Sequence, residues 1–248
     1  SGPRRPATTC ASAACSRWAA PSGHASYRVR AAAVSASAAV ASQSPYLGQP
    51  RPGLTPERFA PGLVSTDAIE LNGVFSPDLR EFYFTRVVDG VDTMHEIIFA
   101  DGKWTLPREL LLFPNDARAE AADMVLSRDG QELFFLAGFP RATAAEKQNY
   151  DIWRSRRVGN GWSEAELVPA PISTPGYEYY PSFGPDGSLY INSNRDGTGA
   201  IYRAARLADG TFAPPVKAGH PFLPRDGDLS FAPDGSFVVV SAQRPHVG

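Results

Sequence analysis

The chain reads as an all-β fold, and three features of its 248 residues carry that reading. One is a cassette that returns four times: FSPDLREFYFTR from Phe75, LSRDGQELFFLA from Leu126, FGPDGSLYINSNRDG from Phe183 and FAPDGSFVVVSAQ from Phe231. Another is a two-residue hairpin signal after three of the copies, ADGKW from Ala100, GNGW from Gly159 and ADGTF from Ala208. The last is spacing: Asp78 to Trp104 and Asp186 to Phe212 are both 26 residues, and Asp129 to Trp162 is 33. Repetition at about 50 residues marks one supersecondary unit stacked on copies of itself, each too small to bury its own core. Four short antiparallel strands per unit describe the blade of a β-propeller.

Each cassette opens on a short strand, VFS, VLS, SFG or SFA, and then turns. Ser-Pro-Asp-Gly suits a type I turn, with Pro77, Pro185 and Pro233 pre-setting φ at the second position. Gly130, Gly187 and Gly235 occupy the fourth position, where a left-handed residue forms a bulge. Two copies depart: Arg128 replaces the proline, and Leu79 replaces the glycine at a cost of about 1 kcal/mol if φ is positive. The second strands, EFYFTR, ELFFLA, SLYINS and SFVVVS, are nearly continuous apolar runs, which predicts burial on both faces. Third strands follow in HEIIFA, YDIWRSR and AIYRAAR, the middle unit carrying an extra loop, PRATAAEKQN. Asp-Gly or Asn-Gly then closes each unit, and Trp104, Trp162 and Phe212 begin a fourth strand that wedges against the next sheet.

The two ends differ from this pattern. Phe59-Ala60-Pro61 resembles the start of a fourth strand, so residues 57–64 are expected to supply a strand to the last blade and lock the ring. The fourth cassette stops short of its third strand, so about three and a half blades are present. Residues 1–45 form a separate Ala-, Ser- and Arg-rich segment outside the propeller, which covers residues 46–248. Within it, Arg28 and Arg30 precede the apolar run AAAVSASAAVA and an A-x-A site ending at Ala41, the pattern of an export signal cleaved after that residue. An organellar transit peptide and a disordered tail fit the same composition. The run is too short for a transmembrane span.

Cleavage at Ala41 would remove five of the 24 basic residues and leave 19 against 26 acidic ones, a net charge near −7. That balance argues against nucleic acid as a partner. Both cysteines, Cys10 and Cys15, would leave with the signal, so packing rather than disulfides must hold the domain.

The segment SFGPDGSLYINSNRDGTGAIYR from Ser182 resembles the Pro-Asp repeat of TolB-like β-propellers, and YLGQPRPGLTPERFAPGLVST from Tyr46 resembles exported bacterial proteins of that group. The resemblance covers residues 46–248 and implies a full ring of five or six blades. It also implies an envelope setting, since the group includes a periplasmic partner of envelope proteins and propellers that gate substrates beside peptidases. It is specific for fold, not for activity.

Candidate binding residues cluster where each first strand begins and each second strand ends. Six residues before the turn aspartates stand Asn72, Asp123, Tyr180 and Asp228; eight before stand Glu70, Ala121, Glu178 and Asp226; Arg86, Arg195 and Arg244 follow the second strands. Asn72, Asp123, Glu178, Tyr180, Asp226 and Asp228, with Arg86 and Arg195, form a candidate rim for a peptide, sugar or cation. The alternative is that acids and arginines of adjacent blades pair there, worth about 0–1 kcal/mol each at a surface. Tyr177, Tyr179 and Tyr180 in EYYPSF could stack on a ligand or simply pack. The turn aspartates Asp78, Asp129, Asp186 and Asp234 are accounted for by the turns alone.

The chain has no G-x-S-x-G elbow, H-E-x-x-H motif or Walker loop, and His95, His220 and His246 are isolated from one another. No catalytic residue, metal site or cofactor is therefore assigned. The sequence predicts a non-enzymatic cell-envelope scaffold, periplasmic or secreted, that binds a protein, peptide or glycan at the channel mouth. Two other functions fit: a carbohydrate-active hydrolase or lyase using rim carboxylates, and the regulatory propeller of a longer peptidase.

Overall fold

The computed structural model describes residues 46–114, 119–139, 150–223 and 225–242. The export segment, the PRATAAEKQN loop, Arg244 and His246 lie outside the described residues. Among the described residues all regular structure is β. The first blade contains β1 (Glu70–Phe75), β2 (Glu81–Val88), β3 (Val91–Ala100), β4 (Lys103–Trp104) and β5 (Arg108–Glu109). The second contains β6 (Glu120–Leu126), β7 (Glu132–Gly138), β8 (Tyr150–Val158), β9 (Gly161–Trp162) and β10 (Glu166–Leu167). The third contains β11 (Glu178–Phe183), β12 (Leu189–Ser193), β13 (Ala200–Ala204) and β14 (Val216–Lys217), and the fourth β15 (Gly227–Phe231) and β16 (Val238–Ser241). Every pairing is antiparallel between sequence neighbours, except that β5 and β10 return to β3 and β8. This is a β-propeller arc of three blades and the first two strands of a fourth. The first strands β1, β6, β11 and β15 are spatial neighbours in that order and line the axis.

The turns are those the cassettes specify. The fourth turn residue donates its N–H to the first residue's carbonyl in all four copies, at 2.8–3.0 Å. That fourth residue is left-handed throughout, including Leu79 at φ 58°. Each turn aspartate accepts the backbone N–H two residues on, Arg80, Gln131, Ser188 and Ser236, at 2.9–3.1 Å. Side-chain donors, the hydroxyls of Ser76, Ser127 and Ser236 and the Arg203 guanidinium at Asp186, together with these backbone bonds favour the ionised form and hold all four carboxyls below the usual aspartate range.

The second strands are sandwiched as their apolar runs require. Along β7, Leu133, Phe135 and Ala137 pack against Tyr83, Met94 and Leu112 of the first blade. Phe134, pointing the other way, packs against Leu189, Ile191 and Tyr202 of the third. Alternate residues therefore fill two inter-blade layers, each buried aromatic or leucine contributing about 1.5–3 kcal/mol. Tyr190 continues the stack onto Phe231 of the fourth blade, at 4.8 Å between ring centroids.

Two expectations about strands need correction. The fourth strands are split: Trp104 ends a short hairpin with β3, and pairing resumes only at Arg108, beyond Leu106 and Pro107. Proline has no N–H to keep the ladder continuous. Residues 57–64 do not form a strand either. Ala60 and Gly62 adopt positive φ around Pro61, and the chain folds into a turn closed by Leu63 and Val64 N–H bonds to the Ala60 carbonyl. The turn packs Phe59, Ala60 and Val64, with Leu47, onto Phe82, Phe84 and Ile97, covering the outer face of the first blade.

Candidate functional site

Asn72, Asp123, Tyr180 and Asp228, one from each inner strand, line a single cavity of about 180 Å3 on the axis. Backbone geometry explains their convergence. In each blade the pairing of first and second strands slips by a residue at this level. The residue at the slip is left-handed, with φ of 42°, 57°, 50° and 49° in chain order. The bulge leaves that residue out of the ladder and re-aims its side chain. Asn and Asp tolerate this conformation through their short polar side chains; Tyr180 does so at a cost of about 1–2 kcal/mol.

The cavity is electrostatically costly. Asp123 is 8% exposed and accepts a hydrogen bond from Asn72 Nδ2. Its burial, then the charges of Asp228 and Asp92, push its carboxyl well above the usual range. Burial raises Asp228 to about 6, a hydrogen bond with Ser241 opposing the shift. Tyr180 is raised as well, by burial and then by Asp123 and Asp228, so it keeps its proton and can donate. Tyr179 stacks edge-on with Tyr180 at 5.3 Å, linking the cavity to the rim. Among the described residues, no three His, Cys, Asp or Glu side chains are grouped so as to hold a metal ion.

The remaining candidates are engaged within their own blades. Glu178 is fully buried and accepts from Thr174 N–H and Oγ1 at 2.9 and 2.7 Å, from Ser193 Oγ at 2.7 Å and from Arg195 Nη2 at 3.3 Å. Arg195 also donates to the carbonyls of Pro171 and Ile172. The first blade repeats the motif: Glu70 accepts from Thr66 and Arg86, and Arg86 donates to the carbonyls of Leu63 and Val64. Asp226, 3% exposed, accepts the Leu223 N–H at 2.9 Å. An acid–arginine pair thus fastens the entry loops of the first and third blades, and Asp226 holds that of the fourth. Rim acid–arginine pairs were expected between blades; here they lie inside them.

Inter-blade ion pairing occurs elsewhere, at a place sequence reading missed. Arg157 of the second blade grips Glu81 of the first with both Nη atoms, at 2.6 and 3.2 Å, and lies 3.9 Å over the Trp162 ring. Tyr83 donates to Glu81 at 2.7 Å and accepts from Trp162 Nε1 at 3.2 Å. The next interface repeats the clamp with Arg206, Glu132 and Phe212. The available signal was the glutamate three residues after Asp78 and Asp129, matched by an arginine five or six residues before the blade aromatic.

No helix among the described residues is long and apolar enough to cross a membrane. No protein-family model matches the chain, and no curated protein matches it. Solved structures similar to it include TolB from Acinetobacter baumannii, 14% identical, TM-score 0.48, over 75% of this chain and 40% of that one. A prolyl endopeptidase structure is 17% identical, TM-score 0.46, over 68% and 22%. A structure described as a putative TolB from Agrobacterium tumefaciens is 21% identical, TM-score 0.41, over 61% and 47%. The chain thus spans less than half the length of each. These matches carry no weight for function, and the propeller architecture stands on its own strand order and fourfold turn geometry.

Proposed function

We propose that the protein is a non-enzymatic binding scaffold of the cell envelope whose ligand, a protein segment, peptide or glycan, engages the axial cavity. One observation supports this above the rest: four equivalent positions hold left-handed backbones and turn Asn72, Asp123, Tyr180 and Asp228 into one cavity. Strained non-glycine residues persist where the surrounding fold over-determines them, and they concentrate at binding sites. Two carboxyls facing the same space favour a ligand that brings N–H or O–H donors, which offset their desolvation.

Peptide phage display and a glycan array against the full chain supply binders. Each is titrated against the Asp123→Ala, Asp228→Ala double variant, with thermal melts to confirm folding. Loss of about tenfold or more in affinity is expected; binders indifferent to both substitutions would sink the assignment. A second reading, carbohydrate turnover, draws on Asp228 being raised to about 6 beside a second carboxyl, a pattern suited to acid and base roles. Release of reducing sugar by the wild type, abolished by Asp228→Asn, would replace the scaffold reading.

A further inference from the structure

The opposite, turn end of the axis holds a second and larger cavity, about 550 Å3, in the size range of small-molecule sites. Its wall mixes hydrocarbon from Val74, Phe75, Val125, Leu126, Phe183 and Phe231 with serine hydroxyls. Arg128 is the only ionisable side chain in that lining. It stands at the turn position where the other three blades carry Pro77, Pro185 and Pro233. Its guanidinium is fixed across the axis: Nη1 donates to the Pro185 carbonyl at 2.6 Å and Nη2 to the Pro233 carbonyl at 2.5 Å. Neutral carbonyls orient the group without cancelling its charge. Three of its five N–H donors are left over, and among the described residues the ion pairs do not include it.

We propose that this cavity binds an aliphatic carboxylate, its tail against the phenylalanine and valine wall and its head on Arg128. Charge complementarity selects the ligand, since a guanidinium matches a carboxylate in shape and sign. It also sets the orientation. The two cavities share Gly73, Val74, Val125, Ser182 and Ser230, and the far one carries Asp123 and Asp228 and no cationic side chain, so it offers a carboxylate no ion-pair partner. The tail therefore points along the axis and the head stays at the turns.

Calorimetric titration of the full chain with decanoate and decan-1-ol tests the assignment. Decanoate should bind at least about tenfold more tightly than the alcohol. Arg128→Gln should remove that preference, while Arg128→Lys, which keeps the charge, should retain most of it. Val125→Trp, which fills the cavity, should abolish binding of both probes in a chain whose thermal melt shows it folded. Equal binding of acid and alcohol, no binding of decanoate by the wild type, or an Arg128→Gln variant that binds decanoate as before would each overturn it. So would saturation by an apolar peptide carboxylate such as acetyl-Ile-Leu with no response to decanoate.

Discussion

Replacing Asp228 by Asn should make the protein more stable at neutral pH, and the gain should fade in acid. Asp228 is half-buried on the axial cavity, and its folded-state pKa of about 6 lies above the ordinary 3.8. Between those values the folded chain holds a proton that the unfolded chain has released, so stability falls as pH rises through the folded pKa. Taken in full, the shift corresponds to about 3 kcal/mol above pH 6; partial exposure reduces this to about 1–2 kcal/mol. Asn is neutral at every pH and accepts the left-handed backbone at this position. Urea unfolding of Asp228→Asn against wild type should show that gain at pH 7.5, roughly a third of it at pH 4.5, and none below pH 3.8. Losing the Asp228 charge should also lower the Asp123 pKa, which that charge helps to raise, as followed by carboxyl 13C shifts. A variant no more stable at pH 7.5, or equally stabilised at both pH values, would refute the electrostatic account of the cavity.

Three other outcomes follow from the fold. Asp129→Ala should cost about 0.5–1.5 kcal/mol above pH 5 by removing the bonds to Ser127 Oγ and the Gln131 N–H. Because the folded pKa of Asp129 is depressed, that contribution is lost as pH falls below 3.8, so the stability difference between variant and wild type in urea unfolding should shrink in acid. Gly235→Ala should cost about 2 kcal/mol or more, because the added Cβ would sit 2.9 Å from Pro185 at φ +73°. Gly102→Ala, at φ +76° with nothing within 4 Å, should cost only about 1 kcal/mol in the same denaturation series. Finally, a double-mutant cycle on Glu81 and Arg157 should give coupling of about 1–3 kcal/mol. The exposed Asp196–Lys217 pair, with side chains 57% and 51% exposed, should give under about 0.5 kcal/mol.

Local chemistry made much of this molecule legible before any coordinates. Turns close over one to five residues, so Pro77, Gly187 and Asp234 announce them directly, and the unbroken apolar run in ELFFLA announces burial on both sides. What escaped was set by groups distant in sequence. Arg157 reads as one more surface charge until the blades are stacked, because its partner Glu81 is 76 residues away. Residues 57–64 look like a strand by their likeness to other blades, yet Pro61-Gly62 bends them, and the exposed first blade gains more from a cap.

The aspartates show most clearly why residue type and blade position must be read together. Asp129 and Asp123 lie six residues apart in one cassette, and the fold treats them oppositely. At the turn, Ser127 Oγ and the Gln131 N–H surround the Asp129 carboxylate with donors and favour its charge. At the bulge, the re-aimed Asp123 carboxyl is buried against the axial cavity it shares with Asp228, and its charge is disfavoured. Pro-Asp-Gly is thus conspicuous because every blade needs the same turn, while the position six residues earlier varies as Asn72, Asp123, Tyr180 and Asp228. Their shared feature is a left-handed backbone rather than a side-chain type. A repeat that preserves the backbone defect and varies the side chain builds an asymmetric site from symmetric blades.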